Sequence, residues 1–512
     1  MLLRAMLLWG LGFVLPGSAL ALDNGLGRQP PLGWSSWNYF ATDVNETLIL
    51  QTADAMVSTG LAKLGFQVIC CMQPRVMLLH AYSTRIATPP HAFLTRARVS
   101  SPPPPYAFPR VVLASLLRND QYINIDAGYL LHERDNVTGK LQVDPAKFPR
   151  GMRYVADQLH SKNLKLGVYT DLGEGSCGKG PGSFASYALD AATVALDWQA
   201  DYLKVDFCGS KVSKTDPALQ LEAWEALGTA LNKTGRRVYY STCPHTTAPD
   251  DSTAAQYRGK LVYSPPAAWS AAQRQAAGNS LLVEYLNTFD LWYADTVPAG
   301  DGGPIDLPGG VITNIDAMVR MTNLSYSGPG SWADADMMQL CTYGEGATRH
   351  FPHQGLTLVE YESHLAVWSV LASPLIHSAD LRTVGARHPE CLSLMLNGEV
   401  LAVNQDAAGL PPRVVFQQYN VSASAGGGNS STIVAQAFAR QLSGGRTALV
   451  LLNRAEGTAV LAAKWAELGF PEGATMAVRD VLRKADMPPV AGKFEASVPK
   501  HGVAFVVLSP SA

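Results

Sequence analysis

Short apolar runs alternate with amphipathic stretches along most of this chain, and that rhythm constrains its fold more than any other feature. Tyr122–Asp126 reads as a buried strand, and Met152, Val155, Ala156 and Leu159 then recur at helical spacing. Leu164–Tyr169 is the next strand, Leu189–Trp198 a helix, and Tyr202–Asp206 another strand. Ala218–Leu231 returns to helix and Arg237–Thr242 to strand. Strands regularly separated by helices imply a parallel sheet joined by crossovers.

Several of these strands end on or beside an acid: Asp126, Asp171 and Asp206. A (β/α)₈ barrel places its chemistry at the C-terminal ends of its strands. An open doubly wound sheet could do the same, but no glycine-rich phosphate loop follows the first strand. The expected architecture is therefore α/β, a (β/α)₈ barrel over residues 22–401, with a second domain over 402–512. Beyond Asn404 short β runs appear at Ala448–Asn453, Ala474–Val481 and Gly502–Ser509 with no long helix between them, which predicts an antiparallel β-sandwich.

One stretch breaks the rhythm. Residues 67–120 hold six Arg, no Lys, no Glu, one Asp at the end and the run Pro102–Pro105. A structureless loop of this length is foreign to a compact barrel. It interrupts a helix-to-strand junction that Leu64-Gly65-Phe66 would otherwise make directly with Gln121-Tyr122-Ile123. Gln67-Val68 and Gln121 are compatible with CAG|GT and CAG splice edges. A translated, unspliced intron is the expectation, and a genuine disordered insertion is the alternative.

Residues 1–21 carry Arg4, an apolar run from Leu7 to Leu15 and the close Ala19-Leu20-Ala21, the pattern of a cleaved signal peptide. The run is shorter than a spanning helix needs, so a membrane anchor is the lesser alternative. N-x-S/T sequons at Asn45, Asn136, Asn232, Asn323, Asn420 and Asn429 fit a glycoprotein of the secretory pathway, extracellular or in a lysosome or vacuole. A net charge of −2 gives no reason to expect a nucleic-acid or anionic-membrane partner. Seven cysteines without a CxxC or His/Cys cluster argue against zinc; some should pair in an oxidising compartment, leaving at least one over. No metal or cofactor is expected, and a homodimer is left open.

Hydrolysing a glycoside with retention requires two carboxyl groups about 5–5.5 Å apart. In Tyr202-Leu203-Lys204-Val205-Asp206-Phe207-Cys208, the period of two puts Lys204 and Asp206 on one face, where the cation should keep the carboxylate ionised. This strand resembles the nucleophile strand of the α-galactosidases and α-N-acetylgalactosaminidases, glycoside hydrolase family 27 of the melibiase type. The likeness extends to Leu22–Leu26, Leu32–Asn38, Tyr122–Asp126, Leu164–Asp171 with Ser176-Cys177-Gly178, Gly328–Trp332, Asp334–Met337 and Ala402–Asp406.

The resemblance implies a retaining hydrolase of terminal α-linked galactose, with a carbohydrate substrate. Asp206 would be the nucleophile and Lys204 a hydroxyl-binding neighbour, with Trp37 as an apolar wall for the sugar. Asp126, Tyr169, Asp336 and Met337 would line the pocket, and Cys177 and Cys208 would form a disulfide beside it. The acid/base would be Asp290, with Asp295 and Glu284 in reserve.

The pattern is not matched everywhere. Ala127 stands where the family has a second acid, and Gly128 where it usually has Cys. Pro244-His245-Thr246-Thr247 lacks the acid and aromatic around the sugar's C2 substituent, and Leu286 falls near an expected Arg. These changes leave open a related specificity, α-N-acetylgalactosaminidase or β-L-arabinopyranosidase, and a non-catalytic sugar-binding homologue.

Overall fold

The computed structural model describes residues 24–64, 121–177, 180–209, 211–212, 216–243, 278–282, 295–299, 303–307, 310–322, 327–346, 355–423 and 429–511. The anomalous 67–120 segment, the signal-like residues 1–21, His245, Asn323, Glu284, Leu286 and Asp290 lie outside them.

Eight parallel strands form one sheet: β1 (Leu32–Ser35), β2 (Gln121–Asn124), β3 (Lys165–Asp171), β4 (Tyr202–Asp206), β5 (Tyr239–Thr242), β6 (Ser280–Leu282), β9 (Trp332–Asp334) and β10 (Leu375–His377). An antiparallel hairpin, β7 (Asp295–Ala299) and β8 (Gly303–Leu307), stands between β6 and β9 in sequence but outside the sheet. β10 pairs with β1 at one edge. Immediately after β9, Met338 donates its N–H to Ile376 O at 2.7 Å and accepts from Ser378 N at 3.0 Å. Those two bonds close the sheet into a barrel.

The barrel strands are buried almost throughout, because side chains fill the interior on one face and helices cover the other. Tyr122, Tyr202 and Tyr239, near the starts of β2, β4 and β5, stack at the N-terminal end, with the Tyr202 and Tyr239 rings 5.1 Å apart and nearly parallel. A Cβ at Gly167 in β3 would sit 1.7 Å from Asn124 Oδ1, so a side chain there would force Asn124 to move. Among the described residues, no helix is long and apolar enough to cross a membrane.

The boundary drawn at Leu401 falls inside the helix Gly398–Asn404. Beyond it, β11 (Pro412–Ala423), β12 (Asn429–Gln441), β13 (Thr447–Asn453), β14 (Ala459–Lys464), β15 (Thr475–Asp480), β16 (Ala485–Ala491), β17 (Lys493–Val498) and β18 (Val503–Pro510) are paired antiparallel. They make a six-stranded sheet facing the β14–β17 pair across an apolar core that includes Leu449, Leu451, Trp465 and Phe494. Arg440 of β12 donates to the carbonyls of Val403, Asn404 and Leu410, and Arg454 grips Asp316 of the barrel helix Val311–Thr322 with both terminal nitrogens. The helix Leu358–Val370 is buried between the two domains, with Ser363 Oγ bonded to His501 O.

Candidate active site

Strand geometry fixes the centre of the site. Asp206 is the last residue of β4, and Lys204 is two residues before it on the same face. Lys204 Nζ donates to Asp126 Oδ2 at 2.9 Å and lies 3.9 Å from Asp206 Oδ1. The cation therefore bonds primarily to Asp126 and is shared with Asp206. Burial alone would depress the ammonium, but Asp126 and Asp206 outweigh it and hold Lys204 well above the usual lysine range.

The Asp206 carboxyl is pulled in both directions. Burial pushes the Asp206 carboxyl above the ordinary carboxylate range; Lys204 pulls it down but does not compensate, and Asp126 adds to the rise. The reason is the geometry just described, in which the nearest partner of Lys204 is Asp126. Two neutral groups also favour the ionised form of Asp206. Cys243 Sγ donates to Oδ1 at 3.1 Å, and the nearby Tyr169 hydroxyl also pulls the Asp206 carboxyl down. Burial, followed by the Asp206 charge, pushes the Cys243 thiol well up, so it remains a protonated donor.

Cys243 has no role in the sequence reading, although the same rule that selects Asp206 selects it. It is the first residue beyond β5, and its N–H donates to Val205 O on the nucleophile strand.

Cys177 and Cys208 are disulfide-bonded, with Cα atoms 5.3 Å apart, as the resemblance implied. Cys177 Sγ lies 3.5 Å from Asp206 Oδ2; as half of a disulfide it packs there and donates nothing. A second bridge, Cys341–Cys391, joins the segment after β9 to the helix Pro389–Met395, and Cys243 is the free cysteine among the described residues. Asp171, Cys177 and Cys208 come within 4.8 Å of one another, but the bonded sulfurs leave one carboxylate and no thiolate to offer a metal.

Asp171 ends β3 directly beside Asp206 in the sheet register. Its carboxyl accepts from the N–H groups of Gly173, Cys208 and Gly209, tying the loop after β3 to the loop after the nucleophile. Burial pushes Asp171 up to about 6 despite these donors, and the Asp206 charge adds to the rise.

Asp336 follows β9 in a left-handed backbone conformation, φ 72°, unusual for a residue with a side chain. Asp334 Oδ1 accepts its N–H and Trp368 Nε1 donates to its carbonyl, which holds the strained turn. Its charge acts on both Lys204 and Cys243, so it belongs to the same group. Trp37 stands half-buried in the turn after β1, at the same end of the barrel, and Met337 is buried beside Asp336.

Two departures have a visible packing consequence. Ala127, which stands where the family has a second acid, is buried. Gly128 (φ 103°) is approached so closely by Thr42 that a Cβ would lie 2.6 Å from its Cα. A side chain cannot enter there while the Thr42 backbone holds this position.

Asp290 and Glu284 follow the C-terminal end of β6, outside the described residues; Asp295 opens β7, and only its backbone is described. The sequon residues Asn45, Asn136, Asn232 and Asn420 are exposed, and the side chain of Asn429 lies outside the described set.

Residues 118–259 and 311–406 match the family described as "Alpha galactosidase A", and residues 434–508 match "Alpha galactosidase C-terminal beta sandwich domain". The gap between the first two blocks contains all three acid/base candidates. An α-galactosidase of Cyamopsis tetragonoloba is 30% identical over 489 residues, covering 95% of this chain and 88% of that one. Alpha-galactosidase 3 of Arabidopsis thaliana is 31% identical over 493 residues, covering 96% and 84%. The crystal structure of α-galactosidase I from Mortierella vinacea superposes with a TM-score of 0.69 at 25% identity, covering 96% of this chain and 99% of that one.

Proposed function

The chain belongs to the melibiase family of α-galactosidases, glycoside hydrolase family 27, and from that premise we propose that it removes terminal α-linked galactose from oligosaccharides, glycolipids or galactomannans with retention of configuration. The observation that carries the reading is Asp206, buried at the C-terminal end of β4 among Lys204, Tyr169, Cys243 and Asp126.

Asp206 attacks the anomeric carbon while Asp290 gives its proton to the departing oxygen, which leaves with the aglycone. Water then attacks the glycosyl–Asp206 ester with Asp290 as base, releasing the sugar and regenerating both groups. Asp126 and Lys204 present an acceptor and a donor to the sugar hydroxyls, and Trp37 offers a face to its C–H groups. The Cys243 donor holds one Asp206 oxygen in place between turnovers.

Residues 1–21 are proposed to direct the chain into the secretory pathway, to the cell exterior or a lysosome or vacuole. Ala127 and the sequence Pro244–Thr247 support a second reading in which the preferred sugar is N-acetylgalactosamine or arabinopyranose. The test is proton NMR of the first product formed from a chromogenic α-galactoside. The expected product is α-galactose, and a first-formed β-anomer rejects the mechanism. Parallel rates on the N-acetylgalactosaminide and arabinopyranoside decide the specificity.

A further inference from the structure

Trp37 opens a helix of only four residues, Trp37–Phe40, directly after β1. A single helical turn is not stable by itself. Its own closing bonds run from Phe40 N to Ser36 O and from Ala41 N to Trp37 O, and the chain leaves it through Ala41 in a left-handed conformation, φ 47°. The place of Trp37 therefore depends on what holds its neighbours. On the inner side, Asn38 N donates to Ser378 Oγ at 3.1 Å, and the Phe40 ring packs against Trp34 with centroids 6.0 Å apart.

The outer side is held by a clasp. The Tyr39 hydroxyl donates to Glu345 Oε2 at 3.1 Å. Glu345 lies in the loop after β9, the loop that also carries Asp336 and Met337. Arg387, the last residue of the helix Leu381–Arg387 that follows β10, donates to both Glu345 oxygens from its two terminal nitrogens. One carboxylate thus joins the loops after β9, β10 and β1, which are neighbours around the barrel. The backbones meet at the same place: a Cβ on Gly346 (φ 91°) would lie 2.8 Å from Tyr39 Cα.

The clasp keeps its protons where the bonds need them. Burial, followed by Glu345, pushes the Tyr39 hydroxyl up to about 12, so it remains a donor. The Arg387 bonds hold the Glu345 carboxyl below the usual carboxylate range despite partial burial, so it remains an acceptor in acid. Partly exposed pairs of this kind contribute little to global stability, but a bidentate guanidinium–carboxylate pair fixes geometry. Its consequence is local.

We propose that Tyr39 and Glu345 are positioning residues for the sugar: clamped by Arg387, they hold the turn that carries Trp37 against the loop that carries Asp336. This rests on the sugar site proposed above, of which Trp37 and Asp336 are two walls.

The test compares the full chain with Tyr39→Phe, Glu345→Gln and the double variant. Steady-state rates on a chromogenic α-galactoside are measured beside calorimetric titration with galactose. Each single substitution should raise KM and weaken galactose binding about fivefold, the size of one partly exposed hydrogen bond. Loss of binding shared by ground and transition states leaves kcat within about twofold. The double variant should be no worse than Glu345→Gln, because both substitutions break the same bond. Melting temperatures should stay close to that of the parent. Unchanged KM and galactose affinity, or additive losses in the double variant, would overturn the proposal. A lower kcat at constant KM that tracks a lower melting temperature would overturn it too, by making the cluster structural. A parent that binds galactose but hydrolyses no α-galactoside would instead reject the hydrolase reading, and the galactose titration would still decide the clasp.

Discussion

Lys204 Nζ sits 2.9 Å from Asp126 Oδ2 but 3.9 Å from Asp206 Oδ1, so one buried cation is shared unequally between two carboxylates. Replacing it with methionine keeps the stem and removes the charge. Two facing carboxylates then remain buried without their counter-ion, a loss of about 3–5 kcal/mol by analogy with broken buried pairs. Asp206, already raised, loses the partner that lowers it and rises further. Because the nucleophile must be deprotonated, the acid limb of the pH profile of kcat/KM should move to higher pH. At the optimum, the rate should fall roughly 100-fold. A profile measured on Lys204→Met with an unmoved acid limb would contradict this assignment.

The thiol of Cys243 is a test of donation rather than of nucleophilicity. Cys243→Ala deletes the 3.1 Å bond to Asp206 Oδ1. Hydrogen bonds to charged groups contribute about 1.5–3 kcal/mol, and a thiol is a weak donor, so a loss of roughly tenfold in kcat/KM is expected. Cys243→Ser keeps a donor in nearly the same volume and should recover most of it. Equal rates for the alanine and serine variants would mean that the thiol only fills space.

Asp171 carries a pH signature in stability. Its carboxyl is raised from 3.8 to about 6, so between those values the folded chain holds a proton that the unfolded chain has lost. Stability from this group is fully present below about pH 4 and declines as pH rises through about 6, by on the order of 3 kcal/mol. Asp171→Asn cannot titrate, and it also gives up acceptor capacity for the three loop N–H groups. The parent should therefore exceed the variant most in acid, with the gap in melting temperature shrinking toward neutral pH. A gap that stays constant from about pH 4 to about pH 7 would assign the pH dependence elsewhere.

The barrel was legible wherever apolar periodicity and turns agreed. Tyr202–Asp206 matches β4 to the residue, and Ala448–Asn453 falls within β13. The helix expected over Leu189–Trp198 is instead Tyr187–Ala192 followed by a wider turn over Thr193–Asp197. There Thr193 Oγ1 bonds back to Leu189 O and Trp198 N reaches Thr193 O, a local rearrangement that hydrophobic spacing does not encode. The strand expected from Arg237 starts at Tyr239. The hairpin β7–β8 went unread because Pro298 and Pro304 argue against a strand, yet they face each other in a two-stranded ribbon with no third strand among the described residues. At the site, Lys204, Asp206 and Asp126 followed from strand ends and the family likeness. The unequal sharing of Lys204 did not, because it depends on distances between strands rather than on spacing within one.

The ends flanking residues 67–120 support removing that stretch. Gln121 Nε2 donates to Leu61 O at 2.7 Å, and Leu64 and Gln121 line the same small apolar cavity. A chain that joins Phe66 directly to Gln121 should fold, melt at least as high as the full-length chain, and hydrolyse a chromogenic α-galactoside at least as fast. Sequencing the mature transcript checks the origin of the segment independently. A shortened chain that is insoluble or inactive, together with a transcript that retains the segment, would establish a genuine insertion.

Identifying the acid/base requires comparing three candidates that lie after the end of β6 in sequence. β6 is two strands from β4 in the barrel order, so chain leaving its C-terminal end begins on the face where Asp206 is exposed to substrate. Asp290 is the assignment made from the family likeness; Asp295 opens the hairpin β7, and Glu284 comes two residues after β6. Removing a general acid harms substrates in proportion to how badly their aglycone leaves. Asp290→Ala should therefore lose roughly 100-fold or more on a natural oligosaccharide, by the usual size of acid–base contributions, but far less on a nitrophenyl galactoside. With the activated substrate, the second step becomes limiting because the base is also missing, and added azide, which needs no base, should restore turnover and yield an α-galactosyl azide. Asp206→Ala should be inactive on both substrates, because no ester forms. If Asp290→Ala keeps full activity on the oligosaccharide while Asp295→Ala or Glu284→Ala shows this selective loss and azide rescue, the role passes to that residue.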